Sequence, residues 1–263
     1  MDKLLYSLIN NKKVVIVGPA PYLNNKGNGK YIDSFDTVVR CNKGLGLVQN
    51  PEIFGSRTDI LYHCVNQHED NGGKLEKDKL INTKLIVGVY PPMNVGENCS
   101  FKHCGTLNDY NNLPKDILDK FTFISKHNYL KLENEVQCRP NTGIVAIDNI
   151  LLFKPKELYI TGFTLFKDGY SKLYRNKIDG KNVTEKNSKF VVLNRMTKET
   201  YPGHHDQYLI WLAFKKKVLN NDKVILDKEL KDILEFNIEQ YKQSKQLQNK
   251  SDKEIFYYYL YNE

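Results

Sequence analysis

The chain has 263 residues, 39 of them Lys or Arg against 31 Asp or Glu, giving a formal net charge of +8 at pH 7. This length buries a substantial core in one large domain or two small ones. The positive excess suits an anionic ligand or surface, or simply a solvated lysine-rich exterior, and the lack of interleaved basic and aromatic platforms speaks against nucleic acid. The five cysteines Cys41, Cys64, Cys99, Cys104 and Cys138 are odd in number and include no Cys-x-x-Cys pair, which argues against a zinc site. They read as reduced thiols of a reducing, cytoplasmic compartment.

The opening MDKLLYSLINNKKVVIVG has only a short apolar segment before charges, neither a signal peptide nor the roughly 20 apolar residues of a spanning helix, so a soluble chain is expected. Strands are predicted at Lys13 to Gly18, Thr37 to Arg40, Asp59 to His63, Thr83 to Val89, Phe121 to Ile124, Glu157 to Thr161 and Lys223 to Leu226, each a short apolar run bounded by turn residues. Helical patterns fall between them at about 108–119, 126–136, 142–153 and 204–219, followed by a polar helix over about 227–248. Strand and helix alternate without internal repeat or low-complexity linker. The predicted fold is a single α/β domain over 1–263, a Rossmann-like doubly wound, mostly parallel sheet with helices on both faces. In such a sheet ligands sit beyond the carboxyl ends of the strands.

Arg40 and Asn42, ending the second strand in TVVRCN, therefore stand where a ligand is expected and suit an anion and a sugar. Val-Gly-Pro-Ala-Pro after the first strand is not a dinucleotide fingerprint, and the P-loop pattern and an Asp-x-Asp pair are absent, so a metal-free monophosphate fits better than a diphosphate. In RPNTGIVAIDNILLF, residues 139–153, Asn141 and Thr142 are good helix caps and Gly143 permits close approach, so the helix start presents free N–H groups and a positive dipole end beside Arg139. A plain capped helix would read the same way. YPGHHDQYLIW, residues 201–211, opens a helix with His204 and His205, whose imidazoles the dipole would keep neutral and fit to act as a general base. A zinc reading is weaker, because adjacent histidines diverge and no third ligand follows at helical spacing.

The stretch from Val14 to Tyr62, with VVIVG, GNGKYIDSFDTVVRCN and EIFGSRTD, resembles the long sialyl motif of animal-type sialyltransferases. RPNTGIVAIDNILLFKPKELYITGF resembles their short motif, and GHHDQYL stands where their final His-containing motif does. TGFTLFKDGYSKLY, followed later by YPGHH, is also similar to bacterial sialyltransferases. The resemblance implies an inverting, metal-independent transferase that takes a CMP-activated keto-sugar acid to a glycan acceptor hydroxyl, needs no cofactor, and carries a mobile lid at about 164–203. Carried over by position, Asn42 matches the donor-holding asparagine, and Asn141, Thr142 and Gly143 the turn around cytidine and its phosphate. Tyr170 and Tyr174 are candidates for the phosphate-binding tyrosines, and His205 matches the base, with His204 beside it as the bacterial-type alternative. Gly18 and Gly162, which close two of the strands, join Arg40 and Arg139 as donor-binding candidates.

The chain also departs from these families. Pro19 stands where they place Asn, and it lacks an amide side chain and a backbone N–H. The segment after the sixth strand holds no histidine, Ile210 replaces a glutamate five residues beyond His205, and neither their disulfide nor their membrane anchor can be read. The sugar acid thus stays open between sialic acid and another CMP-activated acid such as Kdo, with an inactive nucleotide- or polyanion-binding relative as the alternative of another class. The aromatic tail IFYYYLYNE, residues 255–263, either packs on its own core or touches a membrane or a neighbouring subunit.

Overall fold

Seven short strands pair side by side, all parallel, in a computed structural model that describes residues 2–91, 110–178, 181–182, 189 and 205–263. They are β1 (Lys13–Val17), β2 (Thr37–Cys41), β3 (Ile60–His63), β4 (Leu85–Gly88), β5 (Phe121–Phe123), β6 (Glu157–Thr161) and, last in the chain, β9 (Val224–Leu226), in the spatial order β5-β4-β3-β2-β1-β6-β9. The remaining two, β7 (Lys177–Ile178) and β8 (Lys181–Asn182), form a small antiparallel hairpin. All seven sheet strands were legible as apolar runs.

Because successive strand residues face opposite sides, a sheet covered on both faces reads as unbroken hydrophobicity. Val14, Ile16, Val39, Cys41, Ile60, Tyr62, Leu85 and Val87 pack on one side, against helices α5 (Lys126–Val136), α6 (Thr142–Leu152), α7 (Gln207–Val218) and α10 (Asp252–Asn262). Val15, Val17 and Val38 point the other way, to Leu23, Ile32, Phe35 and Phe54 around α2 (Gly29–Asp33) and α3 (Pro51–Phe54). Leu61 and Ile86 continue that face onto Leu45, Leu80 and Ile117, the last in α4 (Lys115–Leu118). The first helix, α1 (Lys3–Ile9), is capped by Asp2 and buries Leu5 and Ile9, an element the sequence reading left out.

Three helical expectations are corrected, the first being that at about 108–119, which among the described residues is broken at 112–114, ahead of the single turn α4 behind Pro114. The polar run 227–248 is not one helix but α8 (Lys228–Leu234) and α9 (Ile238–Ser244). The break comes where Phe236 turns inward to stack on Tyr259 at 3.9 Å and Asn237 caps the second helix by accepting from the Gln240 amide. The helix expected from 204 begins at Gln207, because Asp206 is its N-cap and accepts from the amides of Tyr208 and Leu209, each at 3.1 Å. The aromatic tail is α10, whose Ile255, Phe256, Tyr259 and Leu260 are buried against the core. Among the described residues no helix is long and apolar enough to cross a membrane.

The chain runs from β1 outward to β5 on one side and returns to β6 on the other, so the point where strand order reverses lies between β1 and β6. There the backbones stay in contact past the strand ends, with the Gly18 amide on the Thr161 carbonyl at 2.8 Å and the Ala20 amide on the Gly162 carbonyl at 3.0 Å. A Cβ on Gly18 would lie 2.2 Å from the Gly162 oxygen, and Gly162 itself adopts φ +77°. These two glycines therefore serve the closure of one strand end on the other.

Candidate functional site

Asn42 leaves β2 with φ +48° and turns its carboxamide across the carboxyl ends of the sheet. Its oxygen accepts the Cys64 amide at 2.9 Å, just beyond β3, and its nitrogen donates to the Thr142 hydroxyl at 3.1 Å, in the first turn of α6. One side chain thus ties two strand ends to a helix N-terminus. Asn141 caps that helix as the sequence predicts, its oxygen accepting the Ile144 amide at 3.0 Å. The amides of Thr142 and Gly143 open the helix, where the helix itself supplies no acceptor and the dipole is positive.

Phe163 gives both Gly18 and Gly143 a second reason to lack a side chain. A Cβ on Gly143 would meet the Phe163 ring at 2.6 Å, and one on Gly18 at 2.8 Å. The half-buried ring thus sits between the end of β1 and the start of α6. Sequence reasoning passed over it, since a phenylalanine after a strand reads as core.

Arg139 and His205 meet through the backbone. The Arg139 carbonyl accepts the His205 amide at 3.2 Å and lies 2.9 Å from its Nδ1. A carbonyl can only accept, so Nδ1 carries the proton and Nε2 the lone pair. His205 is at φ +55°, and the buried Gln207 side chain donates to its carbonyl. Lys253 pairs with the Asp206 carboxylate that caps α7. The Arg139 guanidinium lies over the Tyr90 ring at 4.3 Å, and the Tyr90 hydroxyl donates to the Pro140 carbonyl at 3.1 Å. Buried Glu133, which accepts from Tyr129 at 3.1 Å, has its pKa raised by burial, with Tyr129 and Arg139 pulling the other way.

Tyr170 and Tyr174 are both buried, their rings 5.0 Å apart, in a segment laid over the same strand ends. Ser171 donates its amide to the Pro19 carbonyl at 2.7 Å, and Leu173 presses on Gly46. The Tyr174 hydroxyl lies near the Asn42 carboxamide, and burial, the largest influence on it, holds its pKa well above the ordinary value. Lys172, between the two tyrosines, is exposed.

Arg40 is the clearest correction. It shares a sheet face with Val38 and is fully buried beneath the strand ends, where its Nε donates to the Thr58 hydroxyl at 3.0 Å and Nη2 to the Phe54 carbonyl at 2.6 Å. It holds the 54–58 turn in place and is not among the groups that converge on Asn42. Asn42, Arg139, Asn141, Thr142, Gly143 and His205 are linked by the contacts above and the short run of chain from 139 to 143, with the tilted ring pair Tyr170 and Tyr174 beside Asn42. His204, Cys99, Cys104 and most of the expected lid, residues 179–180, 183–188 and 190–203, lie outside the described residues.

The thiols of Cys41, Cys64 and Cys138 are buried, and burial raises them to about 12, about 11 and about 12. They are inert at neutral pH. Fully buried His63, also missed in the sequence, ends β3 and accepts the Val65 amide on Nδ1 at 2.9 Å. Burial lowers its pKa to about 4. Because the folded pKa lies below the unfolded value near 6.5, stability from neutral His63 is complete above about pH 6.5 and is lost as pH falls toward 4. The shift corresponds to about 3 kcal/mol by linkage. Urea titrations at pH 7.5 and pH 4.5 should show this loss, and His63→Gln should flatten the difference; an equal difference in both proteins would place the acid sensitivity elsewhere.

Fold and site together define a doubly wound α/β protein whose polar groups gather at the carboxyl ends of its strands. The model of glycosyltransferase family 29 (sialyltransferase) matches residues 9–88, less than a third of the chain, the part holding β1 to β4 with Gly18 and Asn42. No curated protein matches the chain significantly. Among solved structures, a mammalian sialyltransferase is similar at 17% identity and a TM-score of 0.49, over 82% of this chain and 69% of that one. The sialyltransferase CstII from Campylobacter jejuni, in complex with the substrate analogue CMP-3FNeuAc, is similar at 17% identity and a TM-score of 0.44, over 83% of this chain and 87% of that one.

Proposed function

We propose that the protein is a metal-independent, inverting glycosyltransferase that moves a sugar acid, most readily sialic acid, from a CMP-activated donor to a glycan hydroxyl, with His205 as general base. One observation carries this reading: residues 139–143 join the two halves of such chemistry. The Arg139 carbonyl fixes the tautomer of His205, and three residues later the α6 N-terminus, tied to Asn42 through Thr142, offers the amides an anionic leaving group needs. The family pattern over residues 9–88 supports the same reading.

In this mechanism the acceptor hydroxyl gives its proton to Nε2 of His205 as its oxygen attacks the anomeric carbon. The bond from that carbon to the CMP phosphate oxygen breaks on the opposite face, and its electron pair leaves with CMP. A single displacement inverts the anomeric configuration. Charge grows on the departing phosphate, so the dipole of α6 and nearby hydroxyls stabilise the transition state more than the ground state. A monophosphate leaving group can be met by such donors without a divalent ion.

Thermal denaturation with CMP, UDP, GDP and NAD, each with and without EDTA, tests the donor class, because only a ligand of the native state raises the melting temperature. CMP alone should stabilise, equally with EDTA. Equal shifts for UDP and CMP, or a CMP shift abolished by EDTA, would remove the assignment.

A further inference from the structure

The other arginines described at the sheet each have a carboxylate in reach. Half-exposed Arg57 pairs with the Asp59 carboxylate at 2.9 Å, buried Arg40 has Asp33 as its nearby charge, and Arg139 acts on Glu133. Arg175 is different. It is 6% exposed, its Nη2 donates to the Asn71 carbonyl at 2.6 Å and its Nη1 to the Asp70 carbonyl, and its guanidinium lies 5.3 Å and 5.9 Å from the ring centres of Tyr170 and Tyr174. Its Nε is buried with no hydrogen-bond partner, as Nη1 of Arg40 is, but unlike Arg40 it has no carboxylate paired with it among the described residues. A guanidinium stays charged in proteins, and a charge withdrawn from water without a counter-ion is costly.

The position of this charge gives it a use. The segment carrying it crosses from Pro19, after β1, to Gly46, after β2, and Arg175 ends over the loop after β3. Tyr174, its neighbour in the chain, lies near the carboxamide of Asn42, which donates to the Thr142 hydroxyl at the start of α6. Both Arg175 and Arg139 bear electrostatically on the Cys64 thiol, whose amide binds Asn42. Arg175 therefore adds its charge to the strand ends where the helix N-terminus already favours an anion. We propose that Arg175 is the counter-charge of the ligand's phosphate, a specificity-determining residue that makes this site prefer a nucleotide over its nucleoside. The proposal rests on the transferase reading for the identity of the nucleotide and on the geometry of Arg175 for the preference itself.

Calorimetric titration of the full chain with CMP, cytidine, UMP and uridine, in wild type, Arg175→Gln and Arg175→Lys, separates the two. Removal of a hydrogen-bonded charge should weaken CMP binding about 10- to 100-fold while changing cytidine binding less than about twofold, and Arg175→Lys should recover part of the loss. If cytidine and CMP weaken together, Arg175 only staples the 70–71 loop and the proposal falls. It falls too if CMP affinity is unchanged, or if wild type does not distinguish nucleotide from nucleoside. Should wild type prefer UMP over uridine and ignore CMP, with Arg175→Gln erasing that preference, the counter-charge stands and the cytidine donor falls. Melting curves of each variant confirm that binding is measured on folded protein.

Discussion

Replacing His205 by alanine is expected to leave CMP affinity within about twofold of wild type and to lower turnover about 10²- to 10⁴-fold, the usual contribution of a positioned general base. The expectation follows from the carbonyl of Arg139, which holds the proton on Nδ1 and so leaves Nε2 basic. Asp206, not the histidine, caps α7, so the variant keeps the helix start and should keep its fold. His205→Gln would test tautomer against bulk, since it can hydrogen-bond the carbonyl but cannot take a proton, and it should be as slow as alanine. His204→Ala should cost much less. Loss at His204 alone would move the base by one residue, and full activity in both variants would leave the imidazoles without a part in proton transfer.

Arg40→Met is expected to destabilise the fold by about 3–5 kcal/mol, the usual cost of breaking a buried charged network by deleting one member. Arg40 donates to the Phe54, Gly55 and Arg57 carbonyls and to the Thr58 hydroxyl, and the variant would leave these acceptors buried and without their donor. Burial lowers its pKa only to about 10, so it is charged at neutral pH. Asp33 supports the same turn from the other side by accepting from the Ser56 and Arg57 amides. The midpoint of urea unfolding should fall with no change in its slope, while CMP affinity of the folded variant stays as in wild type. A stable variant with weakened CMP binding would instead return Arg40 to the donor site.

These two residues mark what a sequence can disclose. The five inner strands were readable because both faces of the sheet are covered there, so each is a largely apolar run, while the edge strands β5 and β9 are half-covered and were legible from their aromatic and β-branched residues between turns. The cap at Asn141 was readable because its partner is only three residues away. Arg40 was misplaced although period-two alternation sets it on the face of Val38; its four acceptors lie 14 to 18 residues onward and become neighbours only after β3 has paired with β2. Asn42 stands one residue past the strand, where the turn at φ +48° frees it from that alternation. Phe163 and Arg175 escaped notice for the same reason as Arg40. What makes them informative is distant in the chain: two glycines for Phe163, and the carbonyls of residues 70 and 71 for Arg175. The break at Phe236 likewise depends on Tyr259, over twenty residues onward.

The central claim, transfer from a CMP-activated sugar acid without a metal, is tested most directly by following CMP release from CMP-sialic acid, in EDTA and with a mixture of glycan acceptors. CMP-Kdo and a UDP-sugar serve as alternative donors, and His205→Ala as the control. The account predicts acceptor-dependent CMP release by wild type that EDTA leaves unchanged, that His205→Ala lowers at least about 100-fold, and that the UDP-sugar does not support. Release from the UDP-sugar but neither CMP donor, or release that needs a divalent ion, would contradict it.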